Sequence, residues 1–353
     1  MRITPTNLSL VAVLAALLLT PFTYGASGYK LLRELPMPNI TGWDYLSVDA
    51  EARRLYIGSN MGAVVFDIDA EKVIGNVPNP PLKGGIGLVH GIAVAREFNR
   101  GFVSHEIPPS VIIFSLKNLA QTSVTPTDPG TDAIVYDPAS KRVFTFHSKK
   151  EGVHDATAID AASGKVVGTI QLSGSPEFAA ADGAGHVYVN IASKSALSQI
   201  DSKTLKVTAT WPLAPCEEPS GLAMDVAHHR LFAGCDNKLM AMVDADSGKV
   251  VATVPIGDGV DANAFDPGTG FAFSSNGEGT LTVAHEDSPD KLVLVENVKT
   301  KPGARTMALD PKTHRVFLMA GKFGRRPAKP TPDNPHGYPE IEPGTATLAI
   351  LGR

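Results

Sequence analysis

A short strand-like phrase ending in Asp, or once in Ala, returns seven times along this 353-residue chain, at Asp49, Ala95, Asp137, Asp182, Asp225, Asp266 and Asp310. The intervals are 46, 42, 45, 43, 41 and 44 residues, a period that marks a solenoid, a propeller or an array. What fills each period decides among them. Most anchors are followed by a second strand that opens on a basic residue or His, as in Arg54-Leu55-Tyr56-Ile57, Arg142-Val143-Phe144, His186-Val187-Tyr188-Val189, Arg230-Leu231-Phe232 and Arg315-Val316-Phe317. A third run comes next (Ala63-Val64-Val65-Phe66, Leu239-Met240-Ala241-Met242-Val243), then a fourth after a turn (Gly248-Lys249-Val250-Val251-Ala252-Thr253-Val254). Four strands in about 40 to 45 residues make the blade of a β-propeller, so the expected fold class is all-β with seven four-stranded blades.

The seventh period lacks its fourth strand, because the chain ends on a third, Thr345 to Leu351. Tyr29 to Pro36 matches the fourth-strand pattern at the other end of the chain. That N-terminal strand is expected to complete the last blade and close the ring, which removes two edges that would otherwise template aggregation.

Residues 1–26 carry Arg2, an apolar stretch from Leu8 to Leu19, then Pro21 and small residues. This reads as a secretory signal peptide, too short for a membrane span, leaving 27–353 as one propeller domain in a periplasmic or secreted protein, expected to be a monomer. A net charge of -4 argues against a nucleic-acid partner, whose phosphates call for a basic stripe. The two cysteines, Cys216 and Cys235, flank the first two strands of blade five. Antiparallel pairing brings those ends together, so a disulfide is expected in an oxidising compartment; two separate thiols are the alternative.

The phrases Pro219 to Asp225, His228 to Gly234 and Val243 to Gly257 resemble the YVTN-type repeat of exported YncE-like propellers, and similar phrases recur in Asp258 to Leu281 and Ala304 to Leu318. The resemblance covers essentially the whole chain after residue 26 and implies the propeller fold. It implies no reaction, since related seven-bladed groups include binding modules, scaffolds, lactonases and a lyase. Blade two departs from the pattern, with Ala95 as its anchor and no Gly-Lys turn.

Counting five back from each anchor gives Asp44, His90, Asp132, Glu177, Ser220, Asp261 and Arg305. In a propeller this place faces the central channel. Charged groups around one axis repel unless water or a cation intervenes, so Asp44, Asp132, Glu177, Asp261 and Arg305 are candidate ligand-binding residues at the funnel mouth; the plainer reading is a wide, hydrated channel. A second equivalent place, just past each second strand, holds Ser59, His105, His147, Ile191, Cys235, Ser275 and Ala320. Register puts His105 near His90 and His147 near Asp132, with Glu177 next around the ring. His90, His105 and His147 are therefore candidate ligands for a divalent metal such as zinc, copper, manganese or iron, or else hydrogen-bonding residues of a wet pocket. His154 and Asp155 fall in an expected loop, Lys149 to Asp155, on the same face. Lys322 to Gly344, with six prolines, is an expected insertion there, since prolines cannot donate to a sheet ladder.

Two function classes stay open. The first is a non-catalytic propeller binding a small molecule or protein at its upper face, consistent with the lack of any nucleophile, P-loop or dinucleotide motif. The second is a metal-dependent hydrolase, lactonase-like, or lyase, in which the His and carboxylate sector holds the ion and Arg305 steadies an anionic substrate group.

Overall fold

The computed structural model describes residues 26–79, 89–148, 152–325, 329, 339 and 341–353. These form seven four-stranded sheets, each antiparallel throughout. The expected signal peptide, but for its last residue Ala26, lies outside the described residues, as do most of the expected insertion and Lys149 to Glu151. Each sheet begins with an inner strand: Trp43–Asp49, Val89–Ala95, Thr131–Asp137, Pro176–Ala181, Pro219–Asp225, Val260–Asp266 and Met307–Asp310. Inner strands of successive blades touch, and the seventh returns to the first. The ring is closed as expected: Lys30–Pro36 lies outermost in blade seven, antiparallel to Thr347–Gly352, with Lys30 opposite Gly352 and Pro36 opposite Thr347.

The second and third strands are buried along nearly their whole length, whereas the fourth strands are largely exposed. Successive side chains of a strand point to opposite faces, and in a propeller both faces of a central strand meet a neighbouring blade. Leu55 and Ile57 pack with Phe317, Met319 and Ile350 of blade seven, while Tyr56 between them packs with Val103 and Phe114 of blade two. The core is accordingly seven apolar clusters, one at each blade interface. This explains why the strands read as continuous apolar runs.

The anchor carboxylates hold the turns that follow them. Asp137 accepts from the backbone N–H of Ala139 and Ser140, and Asp310 from that of Lys312. Each turn ends on a residue with positive φ (Arg53, Asn99, Lys141, Gly185, His229, Gly270, His314). Three anchors also bind a cationic or imidazole group of the following blade: Arg96 on Asp49, His314 on Asp266 at 2.7 Å, and Arg53 on Asp310 at 2.9 Å across the ring closure. Ala95 offers no such acceptor. There the chain makes a single 3-10 turn, Arg96–Phe98, and Lys141 of blade three lies over the Phe98 ring at 5.8 Å.

Cys216 and Cys235 form a disulfide with their Cα atoms 5.4 Å apart. Among the described residues no helix is long and apolar enough to cross a membrane. The cross-link joins positions 19 apart, and closing a loop of that length restricts the unfolded chain by about 3 kcal/mol. Replacing both cysteines by serine should lower the unfolding free energy in urea by about that amount without changing the strand content seen by circular dichroism.

Candidate ligand site at the channel mouth

The candidate mouth residues share a backbone irregularity. In six inner strands the pairing with the second strand slips near its start: between Trp43 and Leu46, Val89 and Ile92, Thr131 and Ile134, Pro176 and Ala179, Pro219 and Leu222, and Val260 and Ala262. Asp44, His90, Asp132, Glu177, Ser220 and Asp261 all lie inside these slips. A bulge of this kind unpairs a residue and re-aims its side chain, so the repeat presents one side chain per blade around the axis. In blade seven the inner strand starts only at Met307 and Arg305 precedes it.

His90 is the hub. Its Nδ1 donates to Asp44 Oδ2 at 2.6 Å and lies 3.4 Å from Asp132 Oδ1, while its Nε2 is 3.6 Å from Glu106 Oε2. Burial works against a charged ring, but Asp132, Asp44 and Glu106 outweigh it and hold the His90 pKa well above its ordinary value. Farther round, Arg305 Nε binds Asp261 Oδ2 at 3.1 Å and Ser220 Oγ donates to Asp261 Oδ1 at 3.3 Å.

The carboxylates repel one another. Burial first, and Asp132, Asp261 and Asp44 next, raise the Glu177 pKa to about 8 against a partial offset from Arg305. Burial raises Asp132 to about 7, with His90 opposing and Asp44, Asp261 and Glu106 adding to the rise. Asp261 is raised by burial and by Asp44, against Arg305 and Ser220. About a third of the Asp132 side chain, 36 %, remains exposed.

Beside this ring Tyr45 of blade one and Phe178 of blade four meet with centroids 4.3 Å apart. These blades are three apart in the ring, so the two aromatic rings bridge the channel. Burial and the charges of Asp132, Asp44, Glu177 and Asp261 push the Tyr45 hydroxyl pKa well above its ordinary value. Sequence reasoning missed Tyr45, Phe178 and Glu106. The signal available was adjacency, since Tyr45 and Phe178 directly follow mouth residues inside the same bulges.

The three histidines are not brought into one ligand set among the described residues. His90 groups with Asp44 and Asp132, and His147 groups separately with Asp128 and Asp155. The physical reason is the register of the second strand, whose last inward place is core: Ser59, His105, His147, Ile191, Cys235, Ser275 and Ala320 are all fully buried. His105 Nδ1 donates to Pro108 O at 3.0 Å, and burial lowers its pKa, with His90 adding to the fall. His147 Nδ1 donates to Asp155 Oδ1 at 2.8 Å. His154 and Asp155, expected in a loop, belong to the third strand of blade three, His154–Asp160, where Asp155 pairs with His147 in register.

No family model matches the chain, and no curated protein matches its sequence. Solved structures match its shape. A chain in the crystal structure of a mitotic checkpoint complex superimposes with a TM-score of 0.70 at 13% identity, covering 90% of this chain and 95% of that one. The RRP9 WD40 repeats give 0.71 at 8% identity over 91% and 97%, and U3-55K gives 0.72 at 9% over 93% and 100%. The chain is a seven-bladed β-propeller. At such identities the likeness is one of fold alone.

Glu177 yields a pH prediction. Its folded pKa of about 8 stands above the ordinary 4.5, so folding takes up a proton; the stability this contributes is full below pH 4.5 and is lost as pH rises through 8. Stepwise urea denaturation should show stability falling across that window, and Glu177→Gln should flatten the fall.

Proposed function

We propose that this chain is an exported YncE-like propeller whose channel mouth binds a cationic group, an organic amine or guanidinium carried by a small molecule or by a protein partner. The observation that carries the reading is the excess of acid around one axis: among the described residues Asp44, Asp132, Glu177, Asp261 and Glu106 face only His90 and Arg305 as candidate cations. An entering cation relieves the mutual repulsion that adds to burial in raising Asp132 and Glu177. The Tyr45 and Phe178 pair supplies aromatic surface beside it, suited to cation–π contact. The disulfide and the apolar stretch Leu8 to Leu19 support a periplasmic or secreted location.

A second reading is supported by one observation, that Asp44, His90 and Asp132 each offer a ligand atom within 4.8 Å of the others. One imidazole and two carboxylates suit a divalent transition ion, and such an ion would supply Lewis-acid chemistry to a hydrolase or lyase. In that reading Asp44, His90 and Asp132 hold the ion, Glu177 moves a proton, and Arg305 orients an anionic substrate group.

Putrescine is a suitable probe. Calorimetry should detect its binding to the parent, weakened at least about tenfold by Asp132→Asn or Glu177→Gln, since hydrogen bonds to a charged group contribute about 1.5 to 3 kcal/mol. Affinity should rise with pH through 7 to 8, where Asp132 and Glu177 lose their protons. Equal affinity in parent and variants would reject the amine reading. Elemental analysis of tag-free protein beside His90→Ala tests the metal reading: metal present in the parent and lost in the variant supports it, and no metal uptake by the parent rejects it.

A further inference from the structure

The lower face, at the other end of the strands from the channel mouth, carries a constellation that the proposed binding site does not use. In blades one to five the residue just past the third strand, and in blade six its counterpart inside a longer third strand, donates its backbone N–H to the carbonyl of the positive-φ residue ahead of the second strand. These bonds are Ile68 to Arg53, Leu116 to Asn99, Ala161 to Lys141, Ser202 to Gly185, Ala245 to His229 and Glu286 to Gly270, all between 2.9 and 3.1 Å. The place is structurally equivalent in all six blades. Ile68, Ala161, Ser202 and Ala245 are fully buried there. Blade six alone puts a carboxylate in this place.

Glu286 shares the burial, with 3 % of its side chain exposed, and among the described residues no N–H or hydroxyl donor bonds to either of its carboxylate oxygens, whose near neighbour is the Asp225 carboxyl group. A buried acid without a donor is destabilising. Its surroundings sharpen the anomaly. Asp225, the anchor of blade five, is buried beside it, whereas at the interfaces where Arg53 and His314 follow an anchor, those side chains bind the anchor carboxylate. Gly270 stands in their place in blade six and supplies no side chain. The junction of blades five and six therefore holds two acids in contact range.

His228 completes the set. Thr269 and Thr313 close the corresponding turns in blades six and seven by donating to Asp266 Oδ2 at 2.8 Å and Asp310 Oδ2 at 2.6 Å. His228 Nδ1 performs the same closure on Asp225 Oδ2 at 2.5 Å, but it also lies 3.6 Å from Glu286 Oε1. One atom from each of Asp225, His228 and Glu286 falls within 4.8 Å of the other two. The nearby guanidinium of Arg230 is engaged elsewhere, on Asp244 at 2.8 Å, on the carbonyl oxygens of His228, His229 and Pro289, and on Asp290.

We propose that Asp225, His228 and Glu286 bind one divalent transition-metal ion, of the zinc class, at the junction of blades five and six. A mixed imidazole and carboxylate set selects such ions over calcium or magnesium, which prefer all-oxygen shells. The His228 side chain is 55 % exposed, so the ion enters from solvent and keeps water on its outer side. Bound there, it neutralises the buried pair and ties the two blades together.

The test is a zinc titration of the tag-free full chain by calorimetry, beside His228→Ala, Glu286→Gln and the mouth variant His90→Asn. Zinc should bind the parent at this site and that binding should persist in His90→Asn, which removes any ion at the mouth, yet weaken by more than about tenfold in His228→Ala and Glu286→Gln, since even outer-shell losses at metal sites cost 10- to 100-fold. His228 is at the surface, so that variant keeps the fold, which circular dichroism checks. No zinc uptake by the parent, or uptake equally strong in His228→Ala and Glu286→Gln, overturns the proposal. Putrescine binding, read separately, reports on the channel mouth alone.

Discussion

Face-to-face burial between blades is the constraint on which the rest of the structure depends. A four-stranded sheet with two apolar faces cannot be stable alone, because each face must lose its contact with water. Tyr56 serves one neighbour and Leu55 and Ile57 the other. Every sheet therefore needs two partners, and only closure gives the first and last sheets theirs. The outer strand Lys30–Pro36 completes that closure by pairing with Thr347–Gly352, while Arg53 on Asp310 ties blade one to blade seven at the lower face.

Closure also creates the mouth. Once seven inner strands stand around one axis, any side chain released from sheet pairing near their upper ends is brought close to its counterparts. The repeated bulge releases one at each of six blades. Asp44, Asp132, Glu177 and Asp261 come from blades one, three, four and six, and no two are neighbours in sequence, yet Asp44, Asp132 and Asp261 all raise the proton affinity of Glu177. The aromatic bridge from Tyr45 to Phe178 has the same origin. Electrostatics at this site is a property of the ring.

The two ends of the strands handle charge differently. At the lower face, anchors such as Asp266 and Asp310 are paired locally with backbone N–H groups and with a side chain of the next blade. At the mouth, acids outnumber the cations that face them among the described residues. Departures from the lower-face pattern are informative for that reason. Ala95 removes an acid, and Lys141 over Phe98 takes over the contact. Glu286 adds an acid, with Gly270 opposite it and no added cation.

Much of this architecture was legible in the chain itself. Blade number, strand count, the N-terminal closing strand and the Cys216 to Cys235 bond all follow from periodicity and antiparallel register, which are local and repeat seven times. The identity of the mouth positions was legible too, because one count from each anchor finds them. Tertiary structure decided what those residues meet. The sequence could align His105 and His147 with His90, but whether a side chain turns to the axis or into a blade interface depends on bulges and strand register that single-residue patterns do not reveal. Asp155 read as loop because its strand begins beside a polar segment, and it became the buried partner of His147 only through pairing across the sheet. Tyr45, Phe178, Glu106 and Glu286 acquire meaning only when distant blades are placed side by side, since their partners lie across the channel, in another turn or in another blade.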